Sequence, residues 1–195
     1  LNSLVPLNTI LLGFAVFRIA SSRRQVLGVI IGFIGTAILI LKGAELNPGQ
    51  NYLYAGFVIG STIMYALNVN IIKTHLQFVK PLAIAAGNYV VIVVPAILVL
   101  LFSGFFSAKT LENPHFKMSL VFVTVLSFFG TALAKVLFNK LIHISTPVFA
   151  SSVTYLMPIV ALTWGVLDGE SFTLLQGFAT LIILLGVYLS HKRQR

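Results

Sequence analysis

Seven apolar segments separated by short links dominate the sequence. They run from Leu1 to Phe17, Val26 to Leu41, Tyr52 to Ile72, Leu82 to Phe102, Met118 to Leu141, Val148 to Leu167 and Phe172 to Ser190. Most approach the roughly 20 residues that an α-helix needs to cross about 30 Å of hydrocarbon. With 58% hydrophobic and 9% charged residues, the chain cannot hide its apolar surface in a water-soluble core. We therefore predict an all-α integral membrane protein, a polytopic helical bundle.

The apolar segments at the two ends of the chain carry the same pattern. Each copy has a proline, a glycine seven residues later and a charged residue twelve residues later. These residues are Pro6, Gly13 and Arg18 in the first copy and Pro158, Gly165 and Glu170 in the second. The copies are 152 residues apart, and a further pair, Gly35 and Gly186, is 151 residues apart. This pattern predicts a duplicated helical hairpin.

The distance of each proline from the start of its copy predicts how many helices each copy contains. Pro158 lies about 107 residues after the second copy begins near Asn51, whereas Pro6 lies close to Leu1. We therefore expect about three helices to be missing from the first copy. Residues 1–43 would be the last two helices of a truncated repeat, and residues 51–190 a complete five-helix repeat. Residues 191–195 would form a basic cytoplasmic tail.

The charged residues separate between alternate links. If the tail is cytoplasmic, the same side receives Arg18, Arg23, Arg24, Lys73, Lys80 and Lys140. The opposite side receives Lys42, Lys109, Lys117 and all four acids, Glu45, Glu112, Asp168 and Glu170. This is the asymmetry of the positive-inside rule, so the net charge of +9 reflects membrane topology and not a nucleic-acid partner. Because five helices separate the two prolines, the second copy should be inverted relative to the first.

Several motifs in the second copy resemble a known family. They are Thr154 to Pro158, then Gly165 and the run Asp168 to Glu170, preceded by Gly130 to Ala134. They resemble the EamA type of the drug/metabolite transporter superfamily, over essentially the whole chain. Many relatives have glutamate in the first domain where this chain has Arg18, which puts a shared role of that position in doubt. The resemblance implies ten helices in two inverted five-helix repeats, with both termini cytoplasmic.

The resemblance also implies a function. We expect a secondary transporter in a bacterial inner membrane that exports or exchanges amino acids or related small polar or amphipathic solutes by alternating access. The alternative is a non-transporting membrane scaffold or sensor with a transporter-like fold. Expected partners are a small-molecule solute and the lipid bilayer, with no nucleic acid; a homodimer is left open. Energy coupling is also left open between facilitated diffusion and proton exchange.

Polar side chains in the fifth segment predict a substrate cavity. Thr124, Ser127, Thr131, Lys135 and Asn139 follow spacings of three and four, so at 100° per residue they share one face of an α-helix. A polar stripe should face protein or a water-filled cavity and not lipid. The alternative is hydrogen bonding between helices. Lys135 itself allows two interpretations, an ammonium that attracts an anionic substrate or a side chain that reaches the cytoplasmic interface.

Two other segments supply weaker cavity candidates. These are Ser61, Tyr65 and Asn68 in the third segment and Ser151 and Tyr155 in the sixth. Pro158 leaves the carbonyl of Thr154 without its usual helical donor, which predicts a kink beside the cavity or a purely structural one. Gly28-x-x-x-Gly32 and Gly56-x-x-x-Gly60 predict close helix contacts.

The sequence gives no support for an enzyme. It contains no nucleophile elbow, zinc-binding His-Glu pair or phosphate loop, and no acidic residue lies in the middle of an apolar segment. The four histidines, His75, His115, His143 and His191, lie in separate links without ligand spacing. We therefore expect no catalytic residue, no metal and no cofactor.

Overall fold

A computed structural model describes residues 2–44, 55–107, 110, 112–169 and 173–191, without the side chains of residues 3, 39–44 and 55. Within these ranges all regular secondary structure is helical, which confirms the predicted all-α fold. A 3-10 turn, Asn2–Leu4, precedes seven helices. They are α1 (Val5–Ala15), α2 (Arg23–Ala44), α3 (Ala55–His75), α4 (Pro81–Phe102), α5 (Phe116–Ile144), α6 (Pro147–Leu167) and α7 (Leu174–Ser190).

Four of the described helical stretches are long and apolar enough to cross a membrane. They are Gly56–His75, Pro81–Phe102, Phe116–Ile144 and Pro147–Leu167. Large apolar side chains on the helices point away from the protein, among them Phe57 at 76% exposure and Phe102 at 87%. Such surfaces are stable in lipid or against further helices and not in water. Helix α2 is longer than the predicted segment, because Arg23, Arg24 and Gln25 form its first turn.

The helices form two compact units, which are described separately. The first unit contains α1, α2, α3, α6 and α7. The second unit contains α4 and α5.

The core of the first unit is a crossing of α2 and α7 at glycine residues. A Cβ atom added at Gly28 would lie 2.6 Å from the backbone nitrogen of Ser190, and one added at Gly186 would lie 2.5 Å from the Cα of Gly32. No side chain fits at these points, so the two backbones are in direct contact. The predicted close contact at Gly28-x-x-x-Gly32 is therefore present. The one predicted at Gly56-x-x-x-Gly60 is not, since a Cβ at either position meets nothing within 4 Å in the described residues.

The contacts across this crossing are reciprocal. Gly28 meets Gly186, and Gly35 meets Ala179. At an offset of 151 residues, Gly35 corresponds to Gly186 and Gly28 to Ala179, so the counterpart residues exchange partners. Residue numbers rise along α2 as they fall along α7, and the two helices are therefore antiparallel. Exchange of counterpart partners is the contact pattern of a two-fold axis.

Local structure before each of these helices repeats at an offset of 152 residues. In the first copy the 3-10 turn Asn2–Leu4 leads into the 11-residue helix Val5–Ala15. In the second copy the 3-10 turn Val153–Leu156 leads into an 11-residue α-helical part of α6, Met157–Leu167. The proline is the second residue of both α-helical parts, where its missing N–H breaks no helical hydrogen bond. Where a kink is predicted beside Pro158, the structure has a 3-10 turn. In this turn the carbonyl of Thr154 accepts a hydrogen bond from the N–H of Met157.

The turns that follow α1 and α6 each contain a residue with a positive φ. Arg18 has a φ of 53°, and Gly169 has a φ of 94°. The turn after α1 closes with a hydrogen bond of 2.7 Å from the N–H of Ile19 to the carbonyl of Gly13. Arg18 and Gly169 lie 151 residues apart and both have a left-handed backbone conformation. Glu170, the counterpart expected from the sequence, lies outside the described residues.

Tyr155 of α6 fills the space beside the glycine crossing. Its side chain is fully buried with Val29, Val148 and Ile183. The ring lies where a Cβ at Gly32 would be, at 2.7 Å, and the hydroxyl donates a hydrogen bond of 2.9 Å to the carbonyl of Val29. Tyr155 therefore joins α6 to α2 through packing and a buried hydrogen bond.

Replacement of Gly186 tests the glycine crossing. Gly186→Ala places a methyl group on the backbone of α2, and we expect the overpacking to destabilise the protein by about 2–3 kcal/mol. Gly60→Ala is the matched control, because a methyl group there meets open space in the described structure. Thermal unfolding in detergent measures both. Equal melting temperatures for Gly186→Ala and Gly60→Ala would contradict the crossing.

Tyr155→Phe tests the buried hydroxyl. The variant keeps the ring but removes one hydrogen bond between α6 and α2, so we expect a loss of about 0.5–1.5 kcal/mol in stability. Tyr188→Phe is the control, since Tyr188 is 66% exposed on α7. Thermal unfolding of both variants in the same detergent is the measurement, and no difference from the parent would show that the hydrogen bond contributes nothing.

Candidate functional site

The predicted polar stripe lies on α5, whose winding is not uniform. Residues Leu126–Leu133 form a π-helical stretch between two α-helical parts. A π-helix bonds residue i to residue i+5 and turns fewer degrees per residue than an α-helix. The assumed 100° per residue therefore does not hold between Thr124 and Lys135, and the five residues do not follow a single α-helical face. Stretches of this kind occur often at functional sites.

The first part of the stripe lies on the outside of the second unit. Thr124, Ser127 and Thr131 are exposed there, and the Thr124 hydroxyl donates to the carbonyl of Leu120 in its own helix. The carbonyl of Thr131 accepts a hydrogen bond of 3.2 Å from the hydroxyl of Tyr89 on α4. Tyr89 was not among the predicted residues. It gives the π-helical stretch a side-chain donor from the neighbouring helix.

The second part of the stripe lies deeper. Asn139 is fully buried, and its Nδ2 donates a hydrogen bond of 3.2 Å to the carbonyl of Pro81 at the start of α4. Its Oδ1 is buried without a hydrogen-bond partner in the described structure. Lys135 lies one turn before Asn139 and is half-buried. No acidic residue occurs in the sequence between Glu112 and Asp168, so α5 itself supplies no counter-ion.

A cavity of about 510 Å³ lies at the other end of the same two helices. It lies in the second unit, between the segment after α4 and the first turns of α5. Its lining is formed by Phe105, Thr110, Asn113, His115, Phe116, Ser119, Leu120 and Val123. None of the predicted cavity residues is among them.

The candidates on α3 and α6 lie in the first unit. On α3, Ser61 is exposed, and Tyr65 and Asn68 are half-buried. On α6, Ser151 and Tyr155 are both buried. The Ser151 hydroxyl donates to the carbonyl of Val148, and the Tyr155 hydroxyl to that of Val29. Both α6 residues thus make bonds to backbone within the core.

Two asparagines that the sequence interpretation did not select join α1 to α3. Asn8 donates a hydrogen bond of 2.9 Å to the hydroxyl of Thr62. The Nδ2 of Asn70 donates a hydrogen bond of 3.1 Å to the carbonyl of Thr9. The Oδ1 of Asn70 is buried beside Gly13 without a hydrogen-bond partner in the described structure. A Cβ at Gly13, one of the repeat residues, would lie 3.2 Å from the Oδ1 of Asn70, which is a tight contact.

A second missed feature is a pair of helix caps. Ser22 and Gln25 cap α2, and Thr173 and Gln176 cap α7, each pair through reciprocal bonds between side chain and backbone. Both are capping boxes, with a hydroxyl three residues before a glutamine. They are 151 residues apart, like Gly35 and Gly186. The sequence therefore contained this signal.

The remaining predictions concern metal sites, the repeat residues and the tail. No group of three metal-binding side chains occurs in the described part of the chain. Of the repeat residues, Pro6, Gly13, Pro158 and Gly165 are described, and Glu170 is not. Residues 192–195 of the predicted tail also lie outside the described residues.

The family of the chain follows from comparison with known proteins. A model of the EamA-like transporter family matches residues 53–191, well over half of the chain. The searches of curated proteins and of solved structures gave no match. The family match agrees with a helical protein that has four described stretches able to cross a membrane. The chain therefore belongs to the EamA-like transporter family, as an integral membrane protein whose relatives carry small solutes.

Proposed function

We propose that the protein is a secondary transporter that exports or exchanges amino acids or related small polar or amphipathic solutes. The observation that carries this proposal is the family match over residues 53–191. The solute class is the one that the family resemblance implies, and the polar side chains of α5, which mix hydroxyl, amide and ammonium groups in an apolar span, support it. Such groups in a membrane helix are costly unless they serve a pathway or a helix contact.

We further propose that transport proceeds by alternating access between two inverted repeats. The second repeat comprises residues 51–190 and overlaps the family match. The reciprocal antiparallel contact of α2 with α7 supports the inversion, because those helices are counterparts in the duplication. Two inverted copies can exchange conformations, which converts an outward-open state into an inward-open one.

We place the basic links and the C-terminus on the cytoplasmic side of a bacterial inner membrane. Contacts within the first unit support a common side for several of these links. The rings of Phe17 and His75 are 6.2 Å apart, and those of Phe149 and His191 are 4.7 Å apart. Arg18, Arg23 and Arg24 belong to the same end of α1 and α2, as the positive-inside rule requires.

A flux assay tests the proposed activity. A metabolite profile of the growth medium, with and without expression of the protein, selects the candidate solutes. Uptake of these solutes is then measured in proteoliposomes. We expect the uptake to be saturable and to be accelerated by unlabelled solute on the opposite side of the membrane. Ohmic current without counterflow would indicate a channel. Binding of a partner protein without movement of any solute would indicate a scaffold or sensor.

Substitution of Lys135 tests whether the transporter binds an anionic group of the solute. We propose that its ammonium attracts a carboxylate or phosphate of the solute, because α5 provides no counter-ion. Lys135→Met should lower uptake of the solute found in the flux assay by about tenfold or more, the effect of losing one charge-assisted hydrogen bond. Lys135→Arg should retain much of the uptake.

Lys140→Met is the matched control for this prediction. Lys140 is exposed near the end of the same helix, so we expect near-normal uptake. Near-normal uptake by Lys135→Met would refute the binding role and leave Lys135 as a side chain that reaches the membrane interface.

A further inference from the structure

One buried amide holds three helix ends of the first unit together. Gln25, at the start of α2, is 2% exposed. Its Oε1 accepts hydrogen bonds from Ser22, which caps α2. Its Nε2 donates a bond of 2.8 Å to the hydroxyl of Thr146 before α6, and a longer one of 3.5 Å to the carbonyl of Ser190 at the end of α7. The donor and the acceptor of this amide therefore serve different helices.

The glutamine at the matching position of α7 forms the same kind of cap. Gln176 caps α7 through Thr173, as Gln25 caps α2 through Ser22. Its side chain is half-buried and makes no hydrogen bond to Thr146 in the described residues. Capping is thus common to both glutamines, and the bond to Thr146 belongs to Gln25. A glutamine needed only as a cap would not require the contact with Thr146.

The elements joined by Gln25 meet near a candidate hinge. Helices α2 and α7 touch through glycine backbone. Thr146 caps a short α-helical part of α6, Pro147–Ser152, which the 3-10 turn Val153–Leu156 separates from the rest of the helix. A 3-10 stretch inside a helix often marks a hinge. Movement of the short segment about this turn would require the bond from Gln25 to Thr146 to break.

We propose that Gln25 is a latch that holds this end of the first unit closed and that its bond to Thr146 breaks when the end opens. The short segment Pro147–Ser152 would then swing about the 3-10 turn while α2 and α7 change their angle at the glycine crossing. This inference rests on the proposed transport by alternating access. The latch sets the balance between the closed and open states of this end.

Cysteine labelling tests the latch without any solute. The chain has no cysteine, so a single Ser152→Cys substitution provides a unique reporter. Ser152 is fully buried on the short segment, and we expect slow modification by a water-soluble maleimide in the parent. Gln25→Met, which removes the amide but keeps the length, should accelerate labelling about tenfold, the change that corresponds to one hydrogen bond of about 1.4 kcal/mol.

Gln176→Met is the matched control, because it removes the same kind of cap without a bond to Thr146. We expect it to label at the parent rate. If Gln25→Met does not fold, Thr146→Val removes the acceptor instead and should accelerate labelling, whereas Thr146→Ser keeps the hydroxyl and should not. Equal rates in the parent and the folded Gln25 or Thr146→Val variants would overturn the latch, as would equal acceleration by Gln176→Met.

The labelling result is separate from the transport result. The maleimide reports opening of the protein in membranes whether or not a solute moves. Failure of every flux assay together with fast labelling of Gln25→Met would refute the transport activity and retain the latch. Normal flux with no effect of Gln25→Met on labelling would refute the latch and retain the transport activity.

Discussion

The backbone contact between α2 and α7 is the interaction on which the rest of the first unit depends. Lipid tails are as apolar as leucine side chains, so helices in a membrane gain little from hiding apolar surface against one another. Close approach at Gly28, Gly32 and Gly186 supplies van der Waals contact instead. It also brings the Tyr155 hydroxyl within reach of the Val29 carbonyl and the end of α7 within reach of Gln25.

Polar side chains then fix which helices meet and in what register. Asn70 donates to the Thr9 carbonyl, Tyr155 to the Val29 carbonyl and Gln25 to the Thr146 hydroxyl. Each of these bonds joins two different helices, and each donor is buried. A shift of one helix by one residue would leave these groups unpaired in an apolar surrounding, which is costly. The glycines permit close packing, and the amides and hydroxyls select one arrangement of it.

The features that followed from the sequence are those with a strong local signal. Apolar length predicted the helices, and the offset of 151 to 152 residues predicted that Gly35 and Gly186 are counterparts. The π-helical stretch Leu126–Leu133 could not be predicted, since its residues suit an α-helix equally well. Ser151 and Tyr155 were selected for a cavity because they are polar, but polarity at helical spacing also fits bonds to backbone in a core. The capping boxes follow the same offset of 151 residues, so the sequence alone predicts them.

The two predicted copies agree where their backbones touch and where their helices begin. Gly35 and Gly186 keep the crossing, and both helices begin with a capping box. Gln25 also joins α2 to Thr146 before α6 and to the end of α7. A change of the crossing angle would have to break these bonds while the backbone contact remains. Under the proposed alternating access, such polar contacts set the balance between the closed and open states.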